Sequence, residues 1–539
     1  MKKLIAIGAA LGAIATIPVV QSSGSATAAV LGCSTRPAGA VTFGLLGRYS
    51  TPPVVGSVET RAENVAYEGR TMWVMNIGSI DVVDLRDPAN PALLATLPLP
   101  GEPTSVAVNN GLVAVSVPAA NKTDAGTVVL FRGTTKVAEL TVGSLPDMVT
   151  FTKDGRLLLV ANEGEPNSYG QPDSVDPEGS VSVIVTAPLR TRGALRGNAT
   201  APVQTISFAA FNAGGRRAAE LPADVRIYGP GASVAQDLEP EYITVDDDGR
   251  TAWVSLQENN AIARIDLPRR TVRDIVALGY ADHSVDGHGI DASDQNGGVV
   301  NIATTPVKGI YSPDGIANYE ANDRTYLVTA NEGDARDWVG INAAGAEFAR
   351  ARSVADLVAF PTANDNNQLG RLNVTTAFPA TKDAAGKLTS LYSAGSRSFS
   401  IRTANGALVW DSGDLLECIT NELLPANFNA SNTSTTKKNR SDDKGPEPEI
   451  VVVGEIDDRD YAFVGLERVG GVMVFDITDP KAPVFQQYLV TRDFSVAAGP
   501  DSGPEGMAFV KGSKSPTGKP LLLVGNEVSG TVQVFGLQP

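Results

Sequence analysis

Short apolar segments separated by polar turns recur along most of this chain. The stretch 145–184 sets the pattern: a first strand follows Pro146-Asp147, a turn falls at Asp154-Gly155, and a second apolar strand leads to Asn162-Glu163. Two apolar strands on either side of an Asp-Gly turn are a strong signal for a β-hairpin. Repeats of about 40 residues made of short strands predict a β-propeller.

The pattern occurs seven times, which predicts an all-β, seven-bladed β-propeller. The last repeat ends after its third strand, whereas 41–50 is a strand-like segment without a hairpin partner. We expect this N-terminal strand to pair with 531–536, because a closed ring leaves no exposed sheet edge. The alternative is an eighth blade, with 396–413 as a candidate hairpin inside a long gap. The repeats start at Ala62, Pro103, Leu145, Glu239, Pro313, Pro448 and Pro504.

The chain divides into a leader and one domain. Lys2-Lys3, the apolar run 4–20 and the A-x-A site at 26–28 predict a secretory signal peptide over residues 1–28. Residues 29–539 are then expected to be a single, monomeric propeller domain, secreted to the extracellular space or the periplasm. No segment after the leader is apolar for long enough to span a bilayer. Gaps too long for ordinary connections predict insertions at about 186–236, 268–311 and 339–444.

The chain has two cysteines, Cys33 and Cys418. In an oxidising compartment they can form a disulfide that joins the mature N-terminus to the third insertion. Two unrelated free thiols, or a lipidated Cys33, are the alternatives. Because there is no C-x-x-C motif, the sequence indicates neither thiolate zinc nor redox chemistry.

The chain is strongly acidic, with a formal net charge of −16. Nucleic acids and anionic membranes bind to basic surfaces, so this charge argues against both as partners. It is compatible with cations as ligands, and it is equally explained as a property that keeps an exported protein soluble. The partner that the sequence leads us to expect is an unidentified extracellular ligand or substrate.

Acidic residues recur at two fixed positions of the repeat. One position lies just before the first strand, and the other lies at the end of the second strand. The loops that contain them open on the same face of a propeller blade, so we expect both sets to converge near the axis. The first set is Glu63, Asp147, Glu241, Asp314, Glu449 and Glu505, and the second set is Glu163, Glu258, Glu332, Glu467 and Glu527.

Carboxylates crowded around a narrow axis must be neutralised by protonation, by basic residues or by a cation. The hard cation Ca²⁺ prefers carboxylate and carbonyl oxygens, so the two sets predict a calcium site. The alternative is that the acids cap turns and form salt bridges as structural residues of the repeat. Not every repeat complies, since the second has Thr104 at the first position.

Basic residues accompany the acids. Beside a bound metal, arginine and lysine side chains would form a phosphate or carboxylate site. The simpler interpretation, which we prefer, is that they form salt bridges to the excess acid. The candidate anion-binding residues are Arg336, Arg397, Arg440, Lys444 and Arg468.

The segment 282–297 contains four aspartates and both histidines of the chain. The aspartates are candidates for a second calcium site, although a loop rich in Asx turns is the alternative. His283 and His288 are candidates for an acid/base pair, but nothing in the pattern places them at the axis. No G-x-S-x-G elbow, P-loop or H-E-x-x-H helix is present. The aspartates are Asp282, Asp286, Asp291 and Asp294.

Three phrases carry a family resemblance: AQDLEPEYITVDDDGRTAWVSLQENNAIARIDL at 235–267, TYLVTANEGDARDW at 325–338, and RSDDKGPEPE…YAFVGLERVGGVMVFDITDP at 440–480. The chain resembles the choice-of-anchor I family of secreted bacterial proteins, related to the mesenchyme-specific cell-surface glycoprotein group. The resemblance covers essentially the whole mature chain. It implies an exported YVTN/WD40-like propeller, often tethered by a C-terminal anchor, and some members carry alkaline phosphatase labels. The Pro-Asp-Gly at 313–315 and Pro-Glu-Gly at 504–506 resemble, more weakly, phytase-like propellers that use calcium.

These observations support functions of different classes. The first is a secreted, calcium-binding propeller that acts as an extracellular binding or surface module, favoured because no nucleophile–base pair is visible. The alternative is a calcium-dependent phosphoesterase, alkaline phosphatase- or phytase-like, since metal-assisted hydrolysis requires only carboxylates, metal and water. A lactonase is a weaker alternative, because similar propeller repeats occur in such enzymes. A propeller hosts many functions, so the fold alone does not choose among them.

Overall fold

The computed structural model describes residues 30–31, 34–35, 41–52, 61–342 and 345–539. Within them it contains seven four-stranded antiparallel sheets. Their strands, in the order in which they pair, are Val65–Glu68, Thr71–Asn76, Ser79–Asp84 and Ala92–Pro98 in sheet 1; Ser105–Asn109, Leu112–Val117, Ala125–Arg132 and Thr135–Ser144 in sheet 2; Pro146–Phe151, Leu157–Asn162, Ser180–Val185 and Val203–Ser207 in sheet 3; Pro240–Val245, Thr251–Leu256, Ala261–Asp266 and Thr271–Ala277 in sheet 4; Ile316–Ala321, Arg324–Ala330, Phe399–Thr403 and Leu408–Asp411 in sheet 5; Pro448–Ile456, Arg459–Leu466, Val472–Asp476 and Val484–Leu489 in sheet 6; and Pro504–Val510, Leu521–Asn526, Thr531–Leu537 and Phe43–Ser50 in sheet 7.

The sheets form a closed ring. The first strand of each sheet lies beside the first strand of the next, and sheet 7 lies beside sheet 1. A buried apolar layer fills each interface between neighbouring sheets, as between sheets 4 and 5, where Trp253 packs with Ile316 and Leu327. Such layers supply most of the stabilisation, at about 25 cal/mol per Å² of apolar surface buried. The prediction of an all-β propeller is confirmed.

The N-terminal strand closes the ring. Phe43–Ser50 pairs antiparallel with Thr531–Leu537, so that Phe43 lies opposite Leu537 and Ser50 lies opposite Thr531. The ring of Phe43 also packs edge-on against Phe463 of sheet 6, with 5.4 Å between ring centroids. The predicted pairing of the two ends of the domain is therefore confirmed, and sheet 7 has no unpaired third strand.

The three predicted insertions also supply outer strands of the ring. Val203–Ser207 is the fourth strand of sheet 3, and Thr271–Ala277 is the fourth strand of sheet 4. The hairpin predicted at 396–413 is present as Phe399–Thr403 and Leu408–Asp411, but it completes sheet 5 instead of forming a further sheet. Sheet 5 is thus interrupted between its second and third strands, which is why the repeat pattern ends there.

The rest of the insertions forms smaller elements. A five-stranded sheet contains Tyr280–Asp282, Lys308–Ile310, Tyr392–Ser393, Asn373–Thr375 and Phe348–Arg350, and two-stranded sheets pair Ile290–Asp291 with Ile302–Ala303 and Val30–Leu31 with Ser34–Thr35. The α-helices are α1 (Val234–Asp237), α2 (Ala351–Val354) and α3 (Leu415–Leu423). The 3₁₀-helices are Ala187–Arg190, Arg192–Arg196, Ala209–Phe211, Ala218–Glu220, Pro361–Asn364 and Gly512–Lys514.

None of the helices in the described ranges is long and apolar enough to cross a membrane. The predicted signal peptide, residues 1–28, lies outside the described residues and stays a prediction.

Candidate axial cation site

All eleven predicted carboxylates line one cavity of about 340 Å³, which we call the axial cavity. Every sheet of the ring contributes to its wall through the start of its first strand, so the cavity lies where the seven first strands converge. Sheet 2, which has no acid at this position, contributes Thr104 and Ser105. The expectation that both acidic sets share one face is confirmed for Glu63, Asp147, Glu163, Glu241, Glu258, Asp314, Glu332, Glu449, Glu467, Glu505 and Glu527.

A repeated backbone irregularity aims the first acidic set at the cavity. In four sheets a proline begins the first strand, the acid follows it, and the pairing register with the second strand shifts across the next residues. A β-bulge of this kind bends the strand and redirects one side chain. Proline fits here because the first position of a strand does not require its missing N–H. The acids placed in this way are Asp147, Glu241, Glu449 and Glu505.

A left-handed residue two positions before the acid ties the two sets together. Leu145 has φ of 44° and Glu447 has φ of 52°, conformations that L-residues adopt only when the surroundings hold them. The carbonyl of Leu145 accepts the N–H of Glu163 at 2.9 Å, and that of Glu447 accepts the N–H of Glu467 at 2.9 Å. The strand-end glutamate is therefore fixed to the turn that presents the first acid.

Buried asparagines hold the second set from the other side. Asn162 precedes Glu163 and donates to the Ser182 hydroxyl at 3.1 Å. Asn331 precedes Glu332 in the same way and donates to the Ser400 hydroxyl at 2.9 Å. Because these amides are buried and hydrogen-bonded, the glutamates that follow begin from a rigid strand end.

Two groups of three carboxylates have oxygens within 4.8 Å of one another. Two oxygens that each lie about 2.4 Å from one calcium ion are at most about 4.8 Å apart, so each group meets the spacing that shared coordination requires. The first group, between sheets 3 and 4, is Asp147, Glu163 and Glu241; the second, between sheets 5 and 6, is Glu332, Glu449 and Glu467. We call them the first and second triads.

The first triad has no counter-charge of its own. No hydrogen bond or ion pair from the described residues reaches its three side chains. Burial, followed by the charge of Glu165, raises the pKa of Asp147 to about 7. Burial and neighbouring carboxylates also raise the pKa values of Glu163 and Glu241 well above the usual range. These are the shifts expected for acids that lack a cation.

Glu258 adds an unsatisfied oxygen to the wall beside this triad. Its side chain is 4% exposed, and its Oε2 has no hydrogen-bond partner among the described residues. Burial is the main reason that its pKa rises to about 7. A buried carboxylate oxygen without a donor costs about 1–3 kcal/mol or more, a cost that a bound cation removes.

The second triad is neutralised from within the protein. Lys444 donates to Glu332 and lies 3.0 Å from Glu447 Oε2, while Arg468 lies 3.0 Å from Glu467 Oε1. Burial still raises the pKa of Glu449 well above its usual range, with Glu332 and Glu467 adding to the shift. The two halves of the cavity therefore differ, and the first triad is the better candidate for a cation.

The predicted basic residues are engaged in ion pairs, as the simpler interpretation expects. Arg336 is buried between Asp237 and Glu239, with 3.0 Å to Glu239 Oε2. Arg397 is buried against Glu417 at 2.7 Å. Neither lines the axial cavity. Arg440 pairs with Glu447 at 2.6 Å and with Asp443 at 2.9 Å. Of the five predicted residues, Arg468 is the one that lines the axial cavity.

Sequence reasoning missed two acids in the cavity wall, Glu165 and Asp334. Both follow a strand-end glutamate by two positions, in the phrase Asn-Glu-Gly-acid at 162–165 and 331–334. That repeated phrase was a signal that could have identified them. Glu165 pairs with Lys122 at 2.8 Å. Asp334 lies 3.6 Å from Lys444.

The aspartates of the segment 282–297 do not form a second site. Asp282 accepts the N–H and hydroxyl of Ser284, and Asp294 pairs with Arg371 at 2.8 Å. Asp286 is exposed, whereas Asp291 is buried beside Lys438. The four carboxylates point to different partners, so the predicted calcium loop is wrong and the alternative of a turn-rich loop describes it better.

The two histidines do not form the expected acid/base pair. His283 is 2% exposed, and its Nδ1 lies 2.8 Å from the main-chain oxygen of His288, which accepts the hydrogen bond. Neither ring lines the axial cavity. The predicted disulfide stays a prediction, since Cys418 is buried in α3 and Cys33 lies outside the described residues.

Comparisons with known proteins identify the family. Gigasin-3a of Magallana gigas is 28% identical over 205 residues, 35% of this chain and 69% of that protein. The mesenchyme-specific cell surface glycoprotein of Strongylocentrotus purpuratus is 30% identical over 286 residues, 47% of this chain but only 36% of the relative's length. A β-propeller domain of Cps50 (Swd1) from Myceliophteria thermophila covers 92% of this chain and 100% of its own, at 8% identity and a TM-score of 0.41, a likeness too weak to carry an argument. The choice-of-anchor I domain matches residues 63–480, most of the chain, and the protein belongs to that family.

Proposed function

We propose that this chain is a seven-bladed propeller module of the cell exterior whose axial cavity binds Ca²⁺. The observation that carries the proposal is the first triad, whose carboxylate oxygens lie within 4.8 Å of one another and have no protein counter-charge. Three carboxylates offer up to six oxygens, and Ca²⁺ takes six to eight oxygen ligands, the remainder being water. A smaller ion such as Mg²⁺ requires a regular octahedron and gives up its own water reluctantly, so we expect it to bind more weakly.

An exterior location is supported by two further observations. Residues 1–28 have the sequence of a secretory signal peptide. One relative of the chain is named as a cell surface glycoprotein. Ca²⁺ is abundant outside cells, and extracellular modules commonly use sites with dissociation constants of about 10⁻⁴–10⁻³ M. A site of that strength fits a module that is loaded wherever it is exported.

The test is thermal unfolding of the mature chain with calcium and with chelator. Calcium binds only the folded cavity, so we expect stability to rise by about 2.7 kcal/mol when free calcium is about 100 times Kd. The double variant Glu163→Gln/Glu241→Gln should lose this rise, because it removes two charges of the first triad while keeping the side-chain shape. Glu332→Gln/Glu467→Gln should retain most of it.

The matched control is Glu320→Gln, an exposed acid outside the axial cavity. It should respond to calcium as the unmodified protein does. Equal melting temperatures with calcium and with chelator would refute the proposal. A response that survives in Glu163→Gln/Glu241→Gln would place the cation elsewhere.

A second candidate function is calcium-dependent hydrolysis of phosphate esters. The observation that favours it is Arg468, which lines the axial cavity and is 28% exposed at its side chain. A guanidinium beside a metal-bound oxygen can hold two phosphate oxygens and stabilise charge in the transition state. A screen with phosphomonoesters and phosphodiesters, with and without chelator, tests this function. Activity that requires calcium and falls at least tenfold in Arg468→Gln supports it, and no calcium-dependent turnover removes it.

A further inference from the structure

The insertions enclose a second cavity, which shares no lining residue with the axial cavity. Its volume is about 150 Å³. It lies between the small sheet of Ile290–Asp291 and Ile302–Ala303 and the turn that follows the 3₁₀-helix Pro361–Asn364. The lining residues Asn301 and Asn367 are exposed, so the cavity opens to solvent. We call it the insertion pocket.

Asp291 is a rigid, buried acceptor in the wall of this pocket. It is 1% exposed, its N–H donates to Glu417 Oε2 at 2.9 Å, and its carbonyl accepts from Arg397 at 2.8 Å. Its Oδ2 lies 3.1 Å from the buried ammonium of Lys438, but no donor among the described residues reaches Oδ1. A buried acceptor without a donor is costly, so a donor from outside the chain is expected there.

The charge in the pocket is already balanced. Asp291 is the one ionisable residue among those that line it, and Lys438 faces that carboxylate as its counter-ion. A second cation would be repelled by the ammonium, and an anion would meet the carboxylate. A neutral group that donates a hydrogen bond is the occupant that adds no unpaired charge.

The remaining wall combines hydroxyl and amide groups with an apolar floor. Thr305 Oγ1 is buried and has no hydrogen-bond partner among the described residues. Gln368 and Asn301 place side-chain amides in the lining, while Ile290 and Leu369 provide apolar surface. Several hydroxyl partners on one side and carbon–hydrogen contacts on the other match a ring that has hydroxyl groups at its edge and an apolar face.

We propose that the insertion pocket binds one neutral polyhydroxyl ring, a monosaccharide or the terminal sugar of a glycan. One hydroxyl of the sugar donates to Asp291 Oδ1 and another pairs with Thr305 Oγ1. The volume equals that of about five water molecules in the liquid, which admits one ring and excludes a disaccharide from full burial. The open mouth leaves room for the glycosidic oxygen of a longer glycan to extend into solvent.

The experiment is saturation-transfer-difference NMR on the mature chain with glucose, galactose, mannose and N-acetylglucosamine, followed by titration of any sugar that gives a signal. We expect saturable binding of at least one sugar below about 10 mM. Thr305→Val keeps the shape of the side chain and removes the hydroxyl, so it should weaken binding at least fivefold. Asp291→Asn should weaken it at least tenfold.

Controls separate the pocket from the rest of the molecule. Glu163→Gln/Glu241→Gln alters the axial cavity alone and should bind the sugar with unchanged Kd. Asp291→Asn leaves Lys438 without its partner, so its melting temperature is measured, and Thr305→Val decides the matter if Asp291→Asn does not fold. Extending a sugar that binds by a second residue at its glycosidic oxygen should preserve binding if glycans are the source. No saturable signal from any of the sugars, or equal binding in Thr305→Val, overturns the proposal and leaves water as the partner of Asp291.

Discussion

Lys444 is a buried ammonium that contacts three acids of the cavity wall and its support. It donates to Glu332, lies 3.0 Å from Glu447 Oε2 and lies 3.6 Å from Asp334 Oδ1. Glu447 in turn receives Arg440 and Arg468, and these cations hold its pKa at about 2 despite the opposing effect of burial. On this side the protein supplies its own cation, whereas on the side of the first triad it supplies none.

Lys444→Met should destabilise the protein by about 3–5 kcal/mol, because it leaves buried carboxylates without a partner. Calcium should recover part of this loss, since the second triad then lacks its internal counter-ion. Unfolding in urea with and without calcium measures both effects. Lys136→Met, which breaks an exposed pair with Glu139, is the control and should change stability by less than about 0.5 kcal/mol. Wild-type stability in Lys444→Met would contradict the account of this ion-pair cluster.

His283 gives a pH dependence that is separate from the acids. Burial lowers its pKa to about 4, while an unfolded histidine titrates near 6.5. Between these values the unfolded chain takes up a proton that the folded chain does not, so stability falls as the pH falls from about 6.5 to 4. The loss should reach about 3 kcal/mol. The difference between wild type and His283→Asn, measured by urea unfolding in this range, isolates the effect, since the charged residues around the ring are the same in both.

The matched variant is His288→Gln, whose side chain is 30% exposed. It should keep the pH dependence of the wild type. If His283→Asn and wild type show the same slope of stability against pH, His283 is not a buried neutral imidazole.

At the scale of elements, the start of each first strand sets both the fold and the cavity. The Pro-acid phrase with its bulge appears in the sequence, so the repeat, the ring and the eleven carboxylates could all be predicted. What the sequence could not supply is the partner of each charge. Arg336 pairs with Asp237, which lies 99 positions earlier, and no local pattern connects them. Sheet 5 was incomplete in the prediction because its third strand follows a long insertion.

The closing strand passes close to sheet 1, and this contact can be tested at Gly47. A Cβ atom at this position would lie 2.4 Å from the carbonyl oxygen of Pro88 and 2.7 Å from that of Ala89. Backbone atoms cannot move aside cheaply, so Gly47→Val should displace the strand and cost more than about 2 kcal/mol. Thermal unfolding and limited proteolysis near the N-terminus measure the change.

The control for that substitution is Gly193→Ala, where an added Cβ would meet only Thr191 Oγ1 at 3.7 Å. It should leave the melting temperature nearly unchanged. A Gly47→Val protein as stable as Gly193→Ala would mean that the closing strand has another path.

At the scale of the whole molecule, the predicted disulfide would connect the leader-proximal chain to the ring. The hairpin of Val30–Leu31 and Ser34–Thr35, which brackets Cys33 in the sequence, lies beside the helix α3 that carries Cys418. A bond between them would close a loop of several hundred residues, and removal of such a bond costs about 2–5 kcal/mol. Thiol titration of the denatured mature chain should detect no free thiol before reduction. Cys33→Ser and Cys418→Ser should lower stability equally, whereas two thiols titrating without reductant would exclude the bond.

The pairing of Phe43 with Leu537 places the first and last ordered strands of the ring side by side in one sheet. The order in which the blades follow one another along the chain is therefore arbitrary with respect to the finished ring. A circular permutant that joins these ends by a short linker, and opens the chain at the exposed turn around Gly518, should assemble the same axial cavity. For protein engineering, a reporter domain inserted at such an opening would be connected to the calcium-binding ring from a different blade.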